Sequence, residues 1–261
     1  MDKPRIKIIV PSYLPLNEGG ILKETFANLQ LLEKEFDTKV INAVGTYIGQ
    51  NRNYGITGGC KKPEQHFYNV DYFLFIDTDC YSDDPVKSVY SMIDTGHDII
   101  SGCYKEKTSD NIVAGYVNFE ENRLEPILDN FGIHQVDYVG AGWLLVSTNV
   151  INKMQFPYFR CHSYYTDKNC YAEFQEDVGF CLYANNVGYR TYIDINNKIH
   201  HEQLTKGNAM STENATPKNT VSEMTNEEIK IAIFDASEII DINNNNIKVL
   251  RAELNKRKAA N

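Results

Sequence analysis

Two carboxylates, Asp77 and Asp79, stand directly after the apolar run Tyr72-Phe73-Leu74-Phe75-Ile76. In extended backbone the side chains at i and i+2 point the same way, so the pair is expected to converge on one cation. Oxygen-only donors suit Mg²⁺ or Mn²⁺, and either ion can bridge diphosphate oxygens. Solvated loop acids give the same spacing. The buried strand just before them favours chemistry, because ligands of open α/β sheets bind at the carboxyl ends of strands. A second acidic pair, Glu176-Asp177, lies in a segment of helical spacing, with Glu173 four residues before Asp177. A carboxylate there can take the proton of an attacking hydroxyl. Neighbouring helical residues point about 100° apart, so only one of the two can face a substrate squarely. The positive helix N-terminus lowers a carboxylate pKa, and exclusion of water raises it again.

Positioning these groups requires alternating strands and helices. Strands are expected over Ile6–Val10, Val40–Val44, Val70–Ile76 and Asp98–Tyr104. An amphipathic helix is expected over Ile21–Phe36, with Leu22, Phe26, Leu29 and Leu32 on one face, and a second from Pro85 to Gly96. Such alternation predicts an α/β fold with a mainly parallel sheet flanked by helices. The middle reads as strands over Ile112–Phe119, Gln135–Val139 and Trp143–Ser147, then a short helix over Thr148–Met154. Phe156–Tyr171 is aromatic and loop-like, Glu173–Asn186 helical, and Tyr189–Ile195 a last strand. Leu204–Thr220 is polar, as expected of a linker. Thr225-Asn226-Glu227-Glu228 has the spacing of a capping box that opens a helix. These features place a first domain at 1–205 and a linker with a C-terminal helical extension at 206–261.

Several motifs in sequence order resemble the GT-A glycosyltransferases, especially the family 2-like group. Ile8-Ile9-Val10-Pro11-Ser12-Tyr13 is similar to the first strand and nucleoside-holding loop of that Rossmann-like fold. Gln50-Asn51-Arg52-Asn53 is similar to the Arg-Asn pair that opens the helix before the metal strand. Asp98–Tyr104 resembles the strand after the metal site, and Val139–Val146 the glycine-rich acceptor-side segment. Glu176–Cys181 resembles the Glu-Asp motif, and Ile193-Asp194 with Lys198-Ile199-His200-His201 the terminal strand and its histidine. The resemblance implies transfer of a sugar from a nucleoside-diphosphate donor to an acceptor hydroxyl, with Mn²⁺ or Mg²⁺ stabilising the leaving diphosphate. It implies Asp79 as direct metal ligand, with Asp77 a ligand or the holder of the ribose or a metal-bound water. A third ligand comes from His201, with His200 as second choice. It also implies Asp177, beside Glu176, as the base of an inverting reaction. Pro11, Ser12, Tyr13, Arg52 and Asn53 would meet the nucleotide. Trp143, after Gly140-Ala141-Gly142, would offer a ring to the acceptor, with Gly142 giving close approach.

Two other cation or phosphate sites fit less well. An EF-hand loop starting at Asp77 would want Gly at its sixth position and Glu at its twelfth, where Ser82 and Ser88 stand. A haloacid dehalogenase-like phosphohydrolase, with Asp77 as nucleophile and Asp79 as acid/base, expects Thr or Val at Tyr81. A non-catalytic nucleotide-sugar-binding protein is the remaining rival.

Composition bounds the partners. Among 261 residues, 26 Lys and Arg against 35 Asp and Glu give a net charge of −9, which disfavours broad nucleic-acid or anionic-membrane binding. The basic residues Lys248, Arg251, Lys256, Arg257 and Lys258 collect in the tail. They leave the acceptor open among a glycan, a protein and a hydroxylated DNA base, and the C-terminal helices are a possible homo-oligomer contact. Six cysteines without a C-x-x-C pair suit buried thiols in a reducing compartment. No apolar run reaches the length of a membrane span, and the expectation is a soluble, cytoplasmic protein.

Overall fold

The computed structural model describes residues 3–14, 16, 20–45, 47–58, 69–165 and 171–204, all within the unit Met1–Thr212. The expected linker and helical extension over 206–261, with the basic tail, lie outside the described residues.

Strand β1 (Arg5–Ser12) leads to α1 (Lys23–Glu35), β2 (Asp37–Val44), α2 (Ile48–Thr57) and β3 (Tyr72–Ile76). Then come β4 (Cys80–Tyr81), α3 (Pro85–Asp94), β5 (Ile99–Cys103), β6 (Ala114–Asn118), β7 (Arg123–Pro126), β8 (Ile133–Val136) and β9 (Tyr138–Val139). The described part ends with β10 (Trp143–Ser147), α4 (Thr148–Lys153), β11 (His162–Tyr165), β12 (Tyr171–Phe174), α5 (Glu176–Asn186), β13 (Thr191–Lys198) and β14 (His200–His201).

Seven strands form the central sheet in the order β2-β1-β3-β10-β5-β13-β8. Its core strands are buried on both faces, and period-2 alternation sorts their side chains. Phe73 and Phe75 of β3 join Ile9, Leu144, Val146 and Ile193 on the face covered by α4 and α5. Leu74 and Ile76 join Ile8, Val10, Ile100 and Leu145 on the face covered by α1 and α3. Each fully buried Phe or Leu contributes about 1.5–3 kcal/mol of apolar burial, so these two layers dominate the stability of the sheet. Helix α3 starts where Pro85 pre-sets φ at the first position and the Asp84 carboxylate accepts from the Lys87 N–H.

The sheet is mixed: five of its strands run one way, as expected, and two, β10 and β8, run against them. β1 is parallel to β2 and β3, and β5 to β13, whereas β10 is antiparallel to β3 and β5, and β8 to β13. The reason lies at Gly142. Its carbonyl accepts the Asp77 N–H at the carboxyl end of β3. The chain therefore enters β10 from that end and must run back against its neighbours.

Other expectations shift locally. The strand expected over Gln135–Val139 breaks at Asp137 into β8 in the main sheet and β9, which joins β6 and β7 in a small three-stranded sheet. The expected loop over Phe156–Tyr171 contains β11, paired antiparallel with β12. β12 occupies the first residues expected of α5, which begins only at Glu176. No helix among the described residues is long and apolar enough to cross a membrane. Cys80, Cys103 and Cys181 are buried free thiols, Cys161 is exposed, and Cys60 and Cys170 lie outside the described residues.

Candidate active site

The carboxyl ends of β3 and β5 open onto a cleft of about 470 Å³ lined by Arg52, Asp77, Tyr104, Lys107, Asp177 and His201, with Glu106, Thr108, Val113 and Ala141. Position explains most of this set. Asp77 follows β3, Tyr104 and Lys107 follow β5, Ala141 precedes β10, and Asp177 opens α5.

Directly after β3 the chain turns: the Cys80 N–H donates to the Asp77 carbonyl at 3.1 Å and the Leu22 N–H to the Thr78 carbonyl at 2.9 Å. This turn replaces the extended geometry expected of Asp77 and Asp79, and their carboxylates take separate partners. Asp77 Oδ1 accepts from Arg52 Nη2 at 2.8 Å. Asp79 has other partners, its Oδ2 paired with the Lys107 ammonium and its Oδ1 3.7 Å from His201 Nε2.

Two-residue pairing brings the histidine to this place. β14 runs antiparallel to β4 with His201 opposite Cys80 and His200 opposite Tyr81. Period 2 then sends the two rings to opposite sides. His201 turns inward, its Nδ1 2.8 Å from the Lys105 carbonyl, which leaves Nε2 toward Asp79. His200 turns outward, stacks on Tyr81 and lies 3.2 Å from Asp83 Oδ1.

Asp79, His201 and Cys80 form a group whose ligand atoms lie within 4.8 Å of one another. Burial pushes the Cys80 thiol well above its ordinary range and keeps it neutral. A carboxylate and an imidazole beside a neutral thiol could hold a divalent ion that completes its shell with water. The ammonium already resting on Asp79 marks the same point as a cation position. Asp77 does not belong to this group.

Arg52 joins the two acidic motifs. It sits inside α2 rather than opening it, with a nearly fully buried side chain. Nη1 donates to Glu176 Oε1 at 2.7 Å, Nη2 to Asp77, and the guanidinium lies over the Phe159 ring. Nε has no hydrogen-bond partner. With Glu176 held by Arg52, Asp177 is the acid of its pair that faces the cleft. Desolvation pushes its carboxyl up to about 6; Arg52 opposes this, and the negative charge of Glu176 adds to it. The Val178 N–H donates to Asp177 Oδ1 at 2.8 Å and fixes its orientation. Gly179 lets this end of α5 approach the preceding loop, since a Cβ there would lie 1.9 Å from the Arg160 carbonyl oxygen.

The remaining sequence candidates lie apart from the cleft lining. Asn53 is consumed by structure: its Oδ1 accepts from the Tyr158 and Phe159 N–H groups, and its Nδ2 donates to the Phe159 carbonyl. The Ser12 hydroxyl donates to Asn42 Oδ1 beside the buried Pro11, whereas Tyr13 is 66% exposed at the end of β1. Trp143 is fully buried among the α1 and α3 contacts and donates from its indole nitrogen to Ser88 Oγ at 3.0 Å, so no face of the ring is open to an acceptor. Gly142 serves packing, because a Cβ there would lie 2.8 Å from Cys80 Sγ and 3.0 Å from the Tyr104 hydroxyl. Sequence reasoning passed over Tyr104 and Lys107. Their signal was the place of Tyr104-Lys105-Glu106-Lys107 immediately after β5, at the same sheet end as Asp77.

The chain matches no protein-family model and no curated protein. Among solved structures it is similar to A197 from STIV, with 14% identity, 76% of this chain and 94% of that one covered, and a TM-score of 0.49. It is also similar to S. aureus TarS 1–349 in complex with UDP-GlcNAc, at 16% identity and a TM-score of 0.41, covering 76% of this chain and 58% of that one. A third similarity is to apo-UDP-glucose pyrophosphorylase, at 11% identity and a TM-score of 0.35, covering 67% and 60% of the two chains. At these values the likeness concerns the course of the chain and assigns no activity to it.

Proposed function

We propose that the protein is a metal-dependent glycosyltransferase that moves a sugar from a nucleoside diphosphate to an acceptor hydroxyl with inversion. The observation that carries this reading is the cleft itself. Its lining includes His201, whose partner Asp79 completes the cation position, and Asp177, a carboxyl poised near pH 6. A general base works best when its pKa lies close to the working pH, and desolvation sets Asp177 there. Mn²⁺ or Mg²⁺, when bound, supplies electrostatic stabilisation of the leaving diphosphate.

The chain's own residues do the rest. Asp79 and His201 hold the cation, and Asp177 Oδ2 accepts the acceptor's proton as its oxygen attacks the anomeric carbon. Arg52 clamps Glu176 and Asp77 so that Asp177 keeps its place. Tyr13, exposed at the end of β1, and the backbone near Pro11 and Ser12 offer a seat for the nucleoside base. The separate ion partners of Asp77 and Asp79 weaken the phosphohydrolase alternative, which needs Asp77 free to attack phosphorus and Asp79 free to protonate the leaving oxygen.

A thermal-shift screen of UDP- and GDP-sugars with and without Mn²⁺ tests this function, followed by a nucleotide-release assay on any hit. The expected outcome is a Mn²⁺-dependent rise in melting temperature that Asp79→Asn and His201→Ala abolish and His200→Ala preserves. Release of inorganic phosphate from simple phosphoesters, without nucleotide release from any sugar donor, would overturn it.

A further inference from the structure

Lys107 is the one cleft residue whose charge rests directly on the cation position. It stands on the segment after β5, where Lys105 bridges back to Ile112 and the Glu106 N–H donates to the Asn111 carbonyl. Its ammonium pairs with Asp79 Oδ2, while the other carboxylate oxygen faces His201 Nε2. The contact is only partly sheltered, with the Lys107 side chain 33% exposed and that of Asp79 19% exposed. The ammonium and a divalent ion held between Oδ1 and His201 Nε2 would sit on the two oxygens of one carboxylate, where their like charges repel.

We propose that Lys107 is a built-in competitor for the metal site: its ammonium pairs with Asp79 in the unloaded protein, opposes a divalent cation on the same carboxylate, and is displaced as that cation binds. The inference rests on the metal-dependent reading above and deepens it. Two consequences follow from the geometry. Metal affinity is held below what Asp79 and His201 would give by themselves. The displaced ammonium is also released at the wall of a cleft it shares with Arg52, where it is free to meet the negative charge of a diphosphate. Metal loading thereby frees a positive charge for the donor, so that the two binding events favour each other.

The test is a titration with Mn²⁺ alone, followed by electron paramagnetic resonance of the free ion, on the full chain. Lys107→Ala is expected to bind Mn²⁺ roughly three- to tenfold more tightly than the parent, the range of a partly sheltered charge-assisted pair. Lys107→Arg, which keeps the charge and the reach, is expected to stay within about twofold of the parent. Lys105→Ala controls for the general field: Lys105 pairs with Asp110 beside the same segment, and losing its charge is expected to change little. Equal affinities of parent and Lys107→Ala, with binding still abolished by Asp79→Asn, would overturn the competition and leave the metal site standing. So would equal gains from Lys105→Ala and Lys107→Ala, because they would reduce the effect to net charge. Absence of Mn²⁺ binding in every protein, Lys107→Ala included, would overturn the metal reading and this inference with it.

Discussion

Asp177→Asn should make the folded protein more stable as the pH rises. The Asp177 carboxyl has an ordinary pKa of 3.8 and is pushed up to about 6 in the fold, chiefly by desolvation. Below 3.8 the carboxyl is protonated in both the folded and unfolded chain, and it contributes nothing to pH dependence. Between 3.8 and about 6 the unfolded chain has released its proton while the folded chain still holds it, so stability falls as pH rises. Above about 6 the full cost persists. At 1.36 kcal/mol per pH unit the gap corresponds to about 3 kcal/mol, and residual solvent contact at the cleft brings the expected cost to about 1–3 kcal/mol. Asparagine keeps an oxygen to accept the Val178 N–H but carries no charge to desolvate. Urea unfolding at pH 4, 5, 6 and 7.5 with a common m-value measures the difference between variant and parent. That difference should climb by about 1–3 kcal/mol across the series, or roughly 2–4 °C in melting temperature per kcal/mol at this size. A flat difference across these pH values would refute the claim that burial of this carboxylate sets its proton affinity. The same group should give kcat/KM an acid limb near pH 6, with the rate rising as Asp177 ionises, and the variant should lose that limb along with most of its activity.

Arg52→Met should cost about 3 kcal/mol in urea unfolding, the low end for breaking a buried ion pair, because the side chains of Asp77 and Glu176 keep 30% and 23% exposure. The triple variant Arg52→Met, Asp77→Asn, Glu176→Gln should recover most of that loss; a triple variant no more stable than the single one would remove the charge-pairing account. Trp143→Phe loses the bond to Ser88 and some core volume, and is expected to unfold about 1–3 kcal/mol more easily. Its Mn²⁺ affinity should match the parent, and a clear change would mean that the ring contributes to the site.

The sequence made some parts of this molecule legible and hid others for physical reasons. β3 could be read because a strand buried on both faces leaves a continuous apolar run, and α3 because Asp84-Pro85 punctuates its start. β4 and β14 left no trace, since two residues carry no period, yet their pairing decides that His201 rather than His200 meets Asp79. The turn at Thr78 was equally invisible. It depends on hydrogen bonds to Leu22 and Gly142, far away in the chain, and it separates two carboxylates that local geometry would converge. Arg52 stood out as a cation near a phosphate site, but its long-range partners, Asp77 and Glu176, could not be inferred from its neighbours. Trp143 misled because a lone tryptophan after small residues reads equally well as a platform or as core. Burial decides for core.

Charge at the cleft argues for an order of loading. Asp77, Asp79, Glu106, Glu176 and Asp177 carry five negative charges once Asp177 ionises, against two positive charges on Arg52 and Lys107, a balance of −3. A diphosphate entering this cleft unaccompanied would meet net repulsion in a sheltered setting, where like charges cost most. Arg52 offers it little relief, because both its terminal nitrogens are held by Asp77 and Glu176. One divalent cation cancels most of the excess and, under the competition proposed above, also frees Lys107 from Asp79. Under the proposed function the cation therefore binds before the donor or together with it. Nucleotide affinity without metal should then be weak in the parent protein and rise when Asp79 is neutralised to asparagine, even though the same change removes the metal. A loss of metal-free nucleotide affinity in Asp79→Asn would show that Asp79 serves the nucleotide directly, and that repulsion does not govern entry.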